Sequence, residues 1–237
     1  MTKLSVNINK IATLRNARGG NTPSVIQAAI LCQDFGADGI TVHPRPDERH
    51  ITKKDTYDIK SVINTEYNIE GYPSKDFIDM VIEVAPDQVT LVPDGPNVLT
   101  SCAGWDTIKN QDFLKDIIGR FKQYNIRTSI FVDPDISIVE GAKLCGTDCV
   151  ELYTENYAKE YNLNREMAIH PYILAAKKAK ELDLQVNAGH DLNLENLKYF
   201  LNEIIDINEV SIGHAIISDS LYYGLENTIL MYKKQLL

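Results

Sequence analysis

Eight short apolar runs recur along the 237 residues, at 4–8, 39–42, 67–69, 88–92, 128–132, 149–152, 184–186 and 210–212. Stretches with helical periodicity follow or separate them, at 24–35, 54–63, 75–84, 113–124, 136–144, 165–182, 194–204 and 218–236. Thr22-Pro23-Ser24 and Pro73-Ser74 read as helix starts, and Gly36 and Gly146 as left-handed stops. A strand, helix, parallel-strand unit needs about 30 residues. Eight such steps use the whole chain without a linker or low-complexity stretch, which predicts a single domain over 1–237. The economical closure is an α/β (β/α)8 barrel with additional short helices. A doubly wound open sheet satisfies the same alternation and stays open as the other fold.

The closed barrel has a chemical corollary. All strand ends face one way, so residues distant in sequence become neighbours around one mouth. Polar and ionisable residues stand at or just beyond those ends: Asn7, Asn9, His43, Glu70, Thr100, Asp133, Glu151, His190, Gly213 and His214. Four of the five histidines belong to these segments.

Net charge is −9, which argues against a nucleic-acid partner, because such affinity comes from neutralising phosphates. An anionic ligand must therefore meet local positive charge. The N-terminus lacks a signal-like apolar segment and no run reaches the ~18 residues of a membrane span, so a cytoplasmic protein with no membrane partner is expected. Cys32, Cys102, Cys145 and Cys149 have no paired CxxC spacing or adjacent histidines and read as buried thiols. No metal site is expected.

The segment 7–20 mixes amides, bases and glycines and reads as the first connection. Arg15 and Arg18 could fork onto phosphate oxygens, or equally lie on a solvated loop paired with surplus carboxylates. The run His43-Pro44-Arg45-Pro46-Asp47-Glu48-Arg49-His50 places two imidazoles and two guanidiniums in one proline-stiffened connection. Arg45 and His50 suit an anion, while His43, directly after its strand, suits proton transfer, with a structural histidine as the alternative. Glu70 and Glu151 end their strands. There, burial would raise a carboxyl pKa toward general acid or base use, unless each is an internal salt bridge. The seventh and eighth strands lead into Asn187-Ala188-Gly189-His190-Asp191 and Gly213-His214, where barrels often bind phosphate on free backbone amides. The 92–107 and 152–165 connections are long enough to cover a ligand. His170, before Pro171 in a helical stretch, is assigned no function. The segment 221–225 reads as barrel packing, with a subunit contact as the alternative.

With these residues in place, the chain resembles the pyridoxine 5′-phosphate synthase family over essentially its whole length. The resemblance is carried by 11–19 (IATLRNARG), 36–43 (GADGITVH), 186–190 (VNAGH) and 212–216 (IGHAI). It implies a transferase of vitamin B6 biosynthesis, in a (β/α)8 barrel with extra helices assembled as a homo-octamer. The implied reaction joins 1-deoxy-D-xylulose 5-phosphate to 3-amino-2-oxopropyl phosphate, giving pyridoxine 5′-phosphate, phosphate and water, with no cofactor. By matching positions, Asn7, Arg18, Gly213 and His214 would hold the amino ketone phosphate. Arg45, His50 and Thr100 would hold the deoxypentulose phosphate, with Asn9, Lys10 and Asp191 also at the substrate edge. His43 and Glu70 are the implied bases, His190 the acid and Glu151 a stabiliser of charge.

Asn9-Lys10 stands where many relatives have Asp-His, Asp191 where glycine is common, and Tyr153 where histidine is frequent. Two other functions fit the residues less fully. A Schiff-base aldolase or isomerase would need a lysine in the mouth, for which Lys10 is the candidate. A catalytically silent phosphometabolite binder would need only one anion pocket.

Overall fold

In the computed structural model of the chain, which describes residues 1–93 and 103–237, eight parallel strands close into a barrel in sequence order. The strands are β1 (Lys3–Asn7), β2 (Gly39–Val42), β3 (Glu66–Gly71), β4 (Gln88–Leu91), β5 (Arg127–Val132), β6 (Cys149–Tyr153), β7 (Gln185–Gly189) and β8 (Glu209–Ile212). The helices are α1 (Asn9–Asn16), α2 (Val25–Asp34), α3 (Lys53–Lys60), α4 (Lys75–Val84), α5 (Gln111–Gln123), α6 (Ile136–Cys145), α7 (Glu155–Glu181), α8 (Leu197–Glu203), α9 (His214–Tyr223) and α10 (Leu225–Gln235). The (β/α)8 expectation holds, and the open sheet is excluded because β8 pairs with β1.

Local chemistry sets the boundaries. Ser24, Ser74 and Asp135 cap α2, α4 and α6 by accepting backbone N–H groups of the first turn, and Thr52 with Asp55 forms a reciprocal capping box on α3. Gly146 ends α6 at φ 84°, where a side chain would be strained. A second device recurs at the barrel floor. Asp38, Asp87 and Asp148, each just before an even-numbered strand, accept the amides of Leu4, Tyr67 and Thr128 on the preceding odd-numbered strand. These bonds tie neighbouring strands at their starts, fixing register where no ladder partner yet exists.

Three segments differ from the sequence reading. The 7–20 segment is mostly helix α1, not an open connection: it carries no apolar stripe of its own, and only Ala12 and Arg15 are buried. The 152–165 connection is largely the first turns of α7, which breaks at Asn164 (φ −156°, ψ 89°) before its second half. The last helical stretch is two helices, separated at Gly224 (φ 77°, ψ 152°). There, Leu221, Tyr222 and Tyr223 are exposed, so they do not pack on the barrel as expected.

The strands have two unlike faces. Leu4, Val6, Ile40, Val42, Ile69, Val89, Leu91, Ile130, Val132, Val150, Leu152, Val186, Val210 and Ile212 point outward into one continuous core with the helices. The alternate positions point inward and are mostly polar: register aligns Thr41 with Asn68, Thr90 with Ser129, Glu151 with Asn187, and Asn187 with Glu209. Ser5 bonds Thr41 at 2.7 Å, Asn68 donates to Thr41 at 3.3 Å, and Thr90 donates to Asn68 at 3.0 Å. The barrel therefore contains a belt of hydrogen bonds instead of the branched aliphatic layers usual in this fold. Cys32, Cys145 and Cys149 are buried free thiols, as expected, whereas Cys102 lies outside the described residues. Among the described residues, no helix is long and apolar enough to cross a membrane.

Candidate active site

A cavity of about 390 Å³ opens at the carboxyl ends of the strands. Its lining includes His43, Glu70, Glu151 and His190, the proposed proton-transfer groups, together with Asn7, Asn9, Lys10, Arg45, His50, Asp191, Gly213 and His214. With Val92 after β4 and Phe131 on β5 also at the wall, segments from all eight strand ends converge, which is the arrangement the sequence reading required. Thr13, Arg49, Phe131 and Ser211 also line it and were not singled out as site residues from sequence. Arg49 was counted as the second guanidinium of the 43–50 run but given no role; its neighbours Arg45 and His50 are the signal that could have marked it. Thr100 lies outside the described residues. Arg18 is exposed and does not line the cavity. A larger open cleft of about 860 Å³ lies at the opposite end, around Lys122, Arg127, Asp148 and Gln185. It contains no histidine, and its Lys122 is already paired with Asp148 at 3.0 Å.

Of its two expected roles, Arg15 takes the carboxylate-paired one, though buried and not on a solvated loop. Instead of facing an anion, it is buried and forks onto Asp55, with Nη1 and Nη2 at 2.6 and 2.8 Å from the two carboxylate oxygens. This bond holds the guanidinium's proton more tightly and keeps the Asp55 carboxyl below its usual range despite its burial.

The amides at the mouth position other groups. The Asn7 side chain accepts the Asn9 N–H at 3.0 Å and donates to Glu70 at 3.4 Å. Asn9 in turn accepts the His43 N–H at 2.9 Å, so β1, α1 and β2 are locked together directly beneath the imidazole. His43 Nδ1 stands 4.0 Å from Glu70 Oε2. Burial, reinforced by Arg45, His50 and Arg49, lowers its pKa to about 3, so at neutral pH this is a contact between a neutral ring and a carboxylate, not an ion pair. His50 is likewise brought down to about 4, first by burial and then by Arg45 and Lys10. Its Nδ1 accepts the Ile51 amide at 2.9 Å, which places the proton of the neutral ring on Nε2.

Across the mouth, Glu151 is 3% exposed and its Oε2 has no hydrogen-bond partner. Desolvation, with repulsion from Glu70, raises its pKa well above the ordinary carboxyl value. The expected raised carboxyl is thus present at Glu151, which pairs with no lysine or arginine among the described residues. Gly189 makes room for it: a Cβ there would meet Glu151 Oε1 at 2.3 Å. His190 and Asp191 follow in left-handed backbone, at φ 79° and 59°, and turn His190 Nδ1 to within 2.6 Å of the Asp191 carboxylate. The hydrogen bond from His190 holds the Asp191 carboxyl below its usual range despite partial burial. Since a carboxylate only accepts, Nδ1 carries the proton and Nε2 is the exchangeable edge. Gly213 opens α9, whose first turn starts at the cavity with amides available to an anion, as the sequence placement after β8 anticipated.

Among the described residues, no group of three His, Cys, Asp or Glu side chains is placed to hold a metal ion. The site instead contains two imidazoles with lowered pKa, at His43 and His50, two further imidazoles, a carboxyl with a raised pKa, a partner carboxyl and two cationic or amide-rich edges. Such a set can move protons at several atoms of a bound molecule while anchoring phosphate at either side.

Fold and cavity together define a (β/α)8 barrel whose chemistry gathers at the carboxyl ends of its strands, the position used by enzymes of this architecture. Similar solved structures include thiamine phosphate pyrophosphorylase from Pyrococcus furiosus, at TM-score 0.64 and 13% identity, covering 99% of this chain and 95% of that one. Another is phosphoribosyl anthranilate isomerase from Thermotoga maritima, at TM-score 0.62 and 12% identity, covering 100% and 98%. At these identities the likeness is one of fold alone.

Sequence similarity is more specific. The chain belongs to the family described as pyridoxal phosphate biosynthesis protein PdxJ, whose sequence profile matches residues 4–237. It is 59% identical over 236 residues to pyridoxine 5′-phosphate synthase of Flavobacterium johnsoniae, covering 100% of both chains. The synthases of Bacteroides thetaiotaomicron, at 59% with 98% of each chain covered, and Porphyromonas gingivalis, at 56% with 100% and 99% covered, are similar in the same way.

Proposed function

We propose that the protein is a pyridoxine 5′-phosphate synthase, condensing 1-deoxy-D-xylulose 5-phosphate with 3-amino-2-oxopropyl phosphate to form pyridoxine 5′-phosphate, phosphate and water. The observation that carries this reading is the full-length identity of 59% to a synthase, in a chain whose histidines and carboxyls meet in one cavity. The reaction needs two anchored phosphates, since one remains in the product and the other leaves, and several proton transfers between.

The division of labour follows from the groups present. Lys10, Arg45, Arg49 and His50 form the basic side and take the deoxypentulose phosphate. Asn7, Gly213, His214 and the first amides of α9 take the phosphate of the amino ketone, with Arg18 joining only if the exposed segment past α1 folds inward. The substrate's amine attacks the ketone and loses water, so no enzyme lysine has to form an adduct. Neutral His43 and Glu70 accept protons from carbon during elimination of the sugar phosphate. His190 Nε2, after taking up a proton released from substrate carbon, returns it to departing oxygen, and the buried Glu151 carboxyl, in its protonated form, donates a hydrogen bond to oxygen as negative charge develops there. Asn9 positions His43, and Asp191 fixes the tautomer of His190.

The exposed Leu221, Tyr222 and Tyr223 suit a contact between copies of the chain, and a homo-octamer would cover them. The deciding assay supplies both substrates and measures product mass together with released phosphate. The reading predicts a pyridine product and one equivalent of phosphate only when both are present. Conversion of either substrate alone, with borohydride trapping on Lys10, would identify an aldolase or isomerase instead; binding without conversion would identify a silent receptor.

A further inference from the structure

Helix α1 touches both histidine-bearing parts of the basic side. Its first residue, Asn9, holds the His43 amide, and its last, Asn16, holds the chain around His50. The Asn16 Nδ2 donates to the carbonyls of His50 at 2.8 Å and Arg49 at 3.2 Å. Arg15 Nη2 adds a second bond to the His50 carbonyl at 3.1 Å, while Arg15 Nε donates to Asn16 Oδ1 at 2.9 Å and fixes that amide's orientation. Asp55 anchors the guanidinium from below and also accepts the Thr52 N–H and hydroxyl, both at 2.8 Å, so the same carboxylate ends the loop and begins α3. Residues 48–50 otherwise run without helix or strand.

We infer that Arg15, Asn16 and Asp55 are positioning residues, a clamp through which α1 sets the placement of Arg49 and His50 and hence affinity for one of the two substrates. The inference rests on the reading of this loop as the deoxypentulose phosphate subsite. None of the three is needed to touch a ligand: Arg15, Asn16 and Asp55 do not line the cavity. A carbonyl gripped by two side-chain donors has little freedom to turn, and anion affinity depends on donors held in place before the ligand arrives. The clamp acts at one edge only, so its loss falls on one substrate.

Asn16 is exposed enough to be replaced without opening the core. In Asn16→Leu, which removes the donor at similar size, KM for the deoxypentulose phosphate should rise about tenfold, while kcat stays within about twofold and KM for the amino ketone phosphate is unchanged. Asn16→Gln, which keeps an amide N–H, should recover most of the loss, and the thermal midpoint of both variants should stay near that of the parent. A purely structural role would instead lower the midpoint and disturb both KM values together, which would overturn the inference, as would an unchanged KM. His50→Ala, measured alongside, separates the two levels. A raised sugar-phosphate KM in His50→Ala with no effect in Asn16→Leu overturns the clamp alone, whereas no effect in His50→Ala overturns the subsite reading and the clamp with it.

Discussion

The two faces of the barrel strands serve opposed ends. Outward, aliphatic side chains join the helices in a continuous core, and burial of that surface is the chief source of stability. Inward, the same strands bury Gln88, Ser129, Asn187 and Glu209, each with a side-chain atom that finds no hydrogen-bond partner among the described residues. An unsatisfied buried group costs about 1–3 kcal/mol. The interior is therefore maintained at the expense of the outer layer. The difference indicates that polarity inside this barrel belongs to the chemistry above it, where the belt from Ser5 ends in Thr90, which hydrogen-bonds Glu151.

Truncation of the outer layer should have the largest effect. Phe200, fully buried against Tyr157 and Tyr172, should cost about 3–5 kcal/mol in urea unfolding as Phe200→Ala, leaving the turnover of the folded fraction near normal. An interior change should have the opposite sign. Burial, with repulsion from Glu66 and Glu151, raises the Glu209 pKa to about 8. The folded state then binds more protons than the unfolded one between the ordinary carboxyl range and that value, so stability falls as pH rises through this window. Glu209→Gln should remove the loss, gaining roughly 2–4 kcal/mol at pH 9 and nothing at pH 4. Equal unfolding curves at pH 9 would show that Glu209 is already neutralised in the folded protein.

Smaller effects should refine the comparison at the mouth. Gly189→Ala pushes a methyl against Glu151 Oε1 and should lower turnover about tenfold with little change in stability. Smaller still, phosphate binding should draw a fraction of a proton from buffer near pH 6. The lowered pKa values of His43 and His50 owe part of their shift to Arg45 and Arg49, whose charge an anion offsets. Calorimetry in two buffers of different ionisation enthalpy reads that uptake, and identical heats would contradict it.

Much of this was legible in the chain. Strand-end positions identified His43, Glu70, Glu151 and His190, because a closed parallel barrel leaves those residues nowhere else to go. The two faces were less legible. Short runs such as 39–42 read as apolar although Thr41 points inward, since one threonine among aliphatics does not announce a belt. Helix α1 was hidden by its polar sequence and by the glycines that follow it. Arg15 stayed undecided for a related reason: a guanidinium looks the same in sequence whether it meets a ligand or a carboxylate forty residues away, and only the fold brings Asp55 to it.

The account's central claim is that interior polarity serves catalysis at the expense of stability, and Glu70→Gln tests it most directly. The amide is isosteric and can still accept the Asn7 bond, but it cannot take a proton. Turnover with both substrates should fall by about 10² or more, while the urea midpoint holds or rises. Turnover within a fewfold of the parent, or a midpoint that drops in step with activity, would contradict it.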